Sequence, residues 1–159
     1  MAGLASAKET ALGLDAGRGD ASHSGMSEIL QFLKHGAARI TPRVVSNLLT
    51  QIPLLKAEFT QINAPKFPHL VDQLEFLADV VEDFAEGADL ELPYATVADA
   101  TFALLYAHRK VDLIPDFVPN LGRADDSSVV RAVLIEHERP LMFYAARHGL
   151  NWTAVSTQP

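Results

Sequence analysis

Apolar residues recur at three- and four-residue intervals through most of the chain, and no stretch alternates with the two-residue period of a half-buried strand. The pattern predicts an all-α fold, a compact bundle of about five to seven helices. Ser27 is placed to cap a short first helix that stops near Gly36. Thr41 and Pro42 open a second, because the threonine hydroxyl can cap a free amide and a proline at the first helical position loses no hydrogen bond. The apolar residues Val44, Leu48, Ile52, Leu55, Phe59 and Ile62 keep their spacing through Pro53, which predicts a kinked second helix rather than a reversal.

The next helix is the most regular, with Pro68 at its start, Gly87 just past its end and Leu70, Leu74, Leu77, Val81 and Phe84 as a seam. Val71, Ala78 and Ala85 widen that seam on one side, and Phe76 and Val80 on the other, so this helix belongs in the middle of the bundle. Pro93 starts another helix, running to about Lys110 and almost continuously apolar from Ala95 to Ala107, as a central core helix is. Asp125-Asp126-Ser127-Ser128 then introduces a helix from Val129 to about Glu138. Pro140 begins a last segment, Leu141 to His148, closed by Gly149 and tied back by Leu150 and Trp152.

Between the helix that Pro93 starts and the helix that begins at Val129 lies a segment built differently, from Val111 to Asp126. Pro115 and Pro119 fix two φ angles and push Ile114 and Val118 away from helix, while Gly122 permits a positive φ. Leu113, Ile114, Phe117, Val118 and Leu121 are too apolar for a surface loop, so the segment should fold back onto the core. A buried loop leaves amides without ladder partners, and short carboxylates are natural acceptors for them. Asp112 and Asp116 can close local turns, Asp125 can cap the next helix, and Asp126 suits its positive end.

The string Asp-Leu-Ile-Pro-Asp-Phe-Val-Pro, then two residues, Gly, two residues and Asp-Asp, resembles the signature of the YkvA-like family, a small helical domain of unknown function widespread in bacteria. The likeness is specific from Val111 to Asp126 and looser over about residues 74–134. It implies that Asp112, Pro115, Asp116, Pro119, Gly122, Asp125 and Asp126 hold signature positions, and it implies no particular activity. Relatives often carry a small residue and a proline before the first aspartate, and an aromatic and an aliphatic residue between the glycine and the Asp-Asp pair. This chain has Arg109 and Lys110, then Arg123 and Ala124, polar departures that argue against the membrane association of some relatives.

Composition narrows the organisation further. With 159 residues, 48% of them hydrophobic, the chain can build one core but not two ordinary domains. Residues 1–25, rich in Ala, Gly and Ser, read as a disordered tail, 26–152 as a single helical domain and 153–159 as a second tail. The Arg18-Gly19-Asp20 tripeptide and the Asn151-Trp152-Thr153 sequon read as chance matches, since no signal-peptide pattern accompanies them. No apolar run approaches the roughly 20 residues of a spanning helix, and there is no cysteine, so a cytoplasmic location is expected.

Charge bears on partners. A net charge of -7 with scattered Lys and Arg excludes nonspecific nucleic-acid binding and favours a basic protein partner or a divalent cation. Asp72, Glu75, Asp79, Glu82, Asp83 and Glu86 fall on one stripe of their helix with no lysine or arginine between them, a solvated face or a docking stripe for such a partner. Lys34, Arg39, Arg43, Lys56 and Lys66 give the first half a basic lean that could meet the same stripe on a second copy, making a homo-oligomer.

Three functions are compatible with these features. The favoured one is a non-catalytic protein-interaction or scaffold module in which the aspartates cap helices, with no cofactor expected. The second is a divalent-metal-dependent hydrolase in which Asp112, Asp116, Asp125 and Asp126, with His108, hold Mg, Mn or Ca and activate water. The third is peripheral membrane association through the Ala95 to Ala107 helix. The remaining histidines, including His137 on a mixed surface and His148 beside a helix-ending glycine, read as solvated or capping groups.

Overall fold

The computed structural model describes residues 25–109, 114 and 126–159. Among these residues there is no strand, and the chain forms eight helices. We number them α1 (25–37), α2 (Pro42–Leu49), α3 (Ile52–Phe59), α4 (Leu70–Ala85), α5 (Tyr94–Ala107), α6 (Asp126–Glu136), α7 (Glu138–Arg147) and α8 (Trp152–Val155). The tail 1–25 and the signature turn therefore lie outside the described residues, apart from Gly25, Ile114 and Asp126.

Helices α4 and α5 form the centre. The α4 seam of Leu70, Leu74, Leu77 and Val81 is buried, as are Phe76, Ala78 and Val80 on either side, and the helix packs against α2, α3, α5, α6 and α8. On α5 every residue from Thr96 to Leu105 is buried, which is why its sequence shows almost no polar face. No helix among the described residues is long and apolar enough to cross a membrane. Ile114 is buried in the same core, so at that position the turn folds back as its apolar content predicts.

Two prolines set where helices stop. A proline inside a helix cannot donate to the carbonyl four residues back, and its ring crowds that same carbonyl. Helix α2 ends at Leu49, four residues before Pro53, and α6 ends at Glu136, four before Pro140. The kink expected at Pro53 thus takes the form of a two-residue break at Thr50 and Gln51, and Val44, Leu48, Ile52, Leu55 and Phe59 still share one buried face across it. This break and the single-turn α8 bring the number of helices to eight.

Caps close most other ends. Thr41 accepts a hydrogen bond from the Val44 amide at 3.3 Å, with Pro42 following it. At the end of α4, Gly87 takes φ +78°; its amide donates to the Phe84 carbonyl and the Ala88 amide to the Asp83 carbonyl, a Schellman cap. Gly149 ends α7 in the same way, through bonds to Ala146 and Ala145.

Helix α1 stops at residue 37, close to Gly36 as expected, but Gly36 is still in the last helical turn, and a Cβ there would sit 2.1 Å from the Phe102 ring. Its role is close approach of α1 to α5, with Phe32 and Phe102 meeting edge to face at 5.5 Å.

The C-terminal segment docks instead of trailing away. Gln73, fully buried on α4, donates from its amide nitrogen to the carbonyls of Ser156 (3.0 Å) and Gln158 (2.7 Å), and Arg131 donates to that of Thr157 (2.9 Å).

Candidate functional site

Two places inside the bundle, each at a junction between helices, gather several polar groups around a buried carboxylate. The first is centred on Asp99, the lone charge of the apolar α5 run. A carboxylate buried there requires partners. Lys34 of α1 donates to Asp99 Oδ2 at 2.7 Å, and His137 Nε2 reaches the same oxygen at 2.6 Å. The other ring nitrogen, His137 Nδ1, is 3.0 Å from Thr96 Oγ1. His137 is available because Pro140 ends α6 at Glu136, leaving it as the single residue between α6 and α7 with φ -112° and ψ 30°. It is buried, not on a mixed surface as the sequence suggested.

Hydroxyl, imidazole and carboxylate in this order form the relay of a nucleophilic catalyst. Access decides against that use, since Thr96 has 0% of its surface exposed. What the relay does is satisfy three buried side chains while joining α1, α5 and the α6–α7 junction.

The second place is the loop between α4 and α5. Asp89 is buried there and accepts from Arg147 through Nε (2.9 Å) and Nη2 (3.0 Å), from His148 Nε2 (2.8 Å) and from the Glu91 amide (3.1 Å). Burial by itself would raise its pKa, but the hydrogen bonds from Arg147, His148 and the Glu91 amide, with the Arg147 charge, outweigh this and hold it below the usual 3.8. Beside it, Tyr144 donates to Asp83 at 2.5 Å, and burial together with that carboxylate raises the phenol's pKa.

Outside this cluster opens a groove of about 220 Å³, lined by Glu91, Pro93, Arg139, Pro140, Phe143 and Arg147. Arg147 faces both ways, bound to Asp89 within and 3.1 Å from Glu91 at the rim. Phe143 is 55% exposed, with the Arg139 guanidinium 5.9 Å from its ring centre. Met142 and Leu90 are exposed as well. Sequence patterning missed this groove because its walls come from a loop and a helix about 50 residues apart.

The predicted sites fare differently. The acidic stripe of α4 is divided among neighbours: Asp79 and Glu82 lie 2.6 and 3.6 Å from Lys56 of α3, and Asp83 turns to Tyr144 and, at 3.8 Å, to His148. Of the stripe, Asp72 and Glu86 are exposed and Glu75 is half-buried. Of the basic residues proposed to meet it, Lys34 and Lys56 are committed within the fold.

Of the suggested metal ligands, Asp112, Asp116 and Asp125 lie outside the described residues, as do Pro115, Pro119 and Gly122 of the signature. His108 Nδ1 pairs with Glu58 at 2.7 Å, and Asp126, in the first turn of α6, lies 3.4 Å from Arg109. Among the described residues no group of three or more His, Asp or Glu side chains is placed to hold a metal ion. In comparisons with known proteins, no family model, no curated protein and no solved structure matches this chain.

Proposed function

We propose that this chain is a YkvA-like helical module that acts in the cytoplasm by binding another protein rather than by catalysing a reaction. The observation that carries the reading is the α7 groove, an open aromatic and arginine-bearing surface. Phenylalanine, methionine and arginine are the residues that protein interfaces concentrate, and Phe143, Met142 and Arg139 stand together on α7. A volume of about 220 Å³ falls below the roughly 300–1,000 Å³ of small-molecule and cofactor sites, and suits one or two anchoring side chains of a partner. The arginine at its base is fixed to Asp89, so a partner would meet a preformed surface.

The test is comparative retention of cell proteins by the immobilised wild-type chain and by a Phe143→Ala, Arg139→Ala variant with the same melting curve. A protein held by the first and released by the second supports the reading, and equal retention by both refutes the groove as the docking surface.

A further inference from the structure

The charge balance at the groove points to a particular kind of partner, on the reading that the groove is a protein-docking surface. Three charged side chains line it, and two of them are in contact, since Arg147 lies 3.1 Å from Glu91 while also holding the buried Asp89. Arg139 is the third. It meets no carboxylate among the described residues and rests over the half-open face of Phe143. We infer that the groove takes a partner segment that sets an apolar side chain beside a carboxylate, the apolar group on Phe143 and the carboxylate on Arg139.

Each alternative leaves something unsatisfied. A wholly apolar segment would cover Phe143 but desolvate the Arg139 guanidinium without a partner. A basic segment would bring like charge to it. A carboxylate can take two parallel N–H bonds from the guanidinium, and the ring beneath already limits the orientations that the guanidinium samples. The chain's overall charge of -7 does not reverse this preference, because at physiological salt fields are screened over about 8 Å and a carboxylate on Arg139 would be in direct contact with it. Pro93 and Pro140 add walls that carry no amide donors, so side chains must supply the recognition.

Selection of a random peptide library on the full chain, followed by affinity measurement at low and high salt, tests the inference. The expected result is enrichment of peptides with an aromatic or aliphatic residue next to Asp or Glu. Phe143→Ala and Arg139→Gln should each weaken these peptides by about tenfold or more. With Arg139→Gln the residual binding should lose its salt dependence, while Leu54→Ser, on exposed α3 surface, should change nothing. Peptides that need Phe143 but carry no acidic residue, or that ignore Arg139→Gln, would overturn this inference and leave the protein-binding reading standing. If no enriched peptide depends on Phe143, both are overturned.

Discussion

Gly36→Ala sets two physical effects against each other. Helix propensity favours the change by about 1 kcal/mol, because alanine loses less backbone freedom than glycine inside a helix. Packing opposes it. A Cβ at this position would lie 2.1, 2.3 and 2.5 Å from three atoms of the Phe102 ring. Carbon atoms settle at about 3.5–4.0 Å, so the ring would have to retreat by roughly 1.5 Å. It has nowhere to go, being fully buried with Phe32 at 5.5 Å on one side and Tyr106 at 6.1 Å on another. Forcing an extra methyl group into a filled core costs about 1–3 kcal/mol, and this contact belongs near the upper end. The net expectation is a loss of about 1–2 kcal/mol, or a melting temperature lower by about 3–8 °C.

Urea and thermal denaturation of the wild type and the variant measure it directly. A second pair, Gly36→Ala in a Phe102→Leu background, isolates the contact, because leucine removes the ring atoms in question and the alanine should then be nearly neutral or stabilising. A Gly36→Ala protein that melts at or above the wild type would refute the argument, and would mean that α1 ends or shifts as a helix-stopping glycine implies.

Three further outcomes follow from the buried polar groups. Asp89 has a folded-state pKa below its usual 3.8, so its contribution is present above pH 3.8 and lost as the pH falls through the folded value; pH-dependent melting should show this acid limb, and Asp89→Asn should flatten it. His137→Ala leaves the Thr96 hydroxyl without its partner and Asp99 with Lys34 alone, which should lower stability by about 1–3 kcal/mol in urea unfolding. Gln73→Ala releases two carbonyls of the C-terminal segment, so hydrogen exchange should quicken at residues 152–159 before anywhere else, and uniform protection there would count against the clamp.

What could be read in the sequence depended on how far apart the determining residues lie. The α4 and α5 helices were legible because period, proline starts and the Gly87 cap are all local signals. Gly36 was not, since a glycine that ends a helix and one that admits a neighbouring ring look alike until α5 is in place. The acidic stripe reads as unpaired on a single helix, but Lys56 arrives from 23 residues away and Tyr144 from 61. Asp99 is a lone carboxylate in a buried helix, and its partners Lys34 and His137 lie 65 and 38 residues away, beyond the reach of local pattern. Asp112, Asp116 and Asp125, for which the sequence suggests capping or turn-closing roles, lie outside the described residues.

The buried polar groups share a plan that bears on the groove. Asp99 joins α1 and the α6–α7 junction to α5, Asp89 joins the α4–α5 loop to the end of α7, and Gln73 joins the C-terminal segment to α4. Each sits where an irregular segment meets the bundle, where apolar contact alone specifies position poorly and a directional bond specifies it well. Asp99, Asp89 and the Gln73 amide nitrogen are thereby accounted for by the fold, whereas Gln73 Oε1 and Ser127 Oγ are buried without a hydrogen-bond partner among the described residues. On α7 the same accounting uses Tyr144, Arg147 and His148, which face Asp83 and Asp89. Arg139, Met142 and Phe143 stand on the same helix with no such duty, two of them apolar and one a cation without a carboxylate. These exposed residues, which the fold does not use, are the ones on which the proposed docking rests.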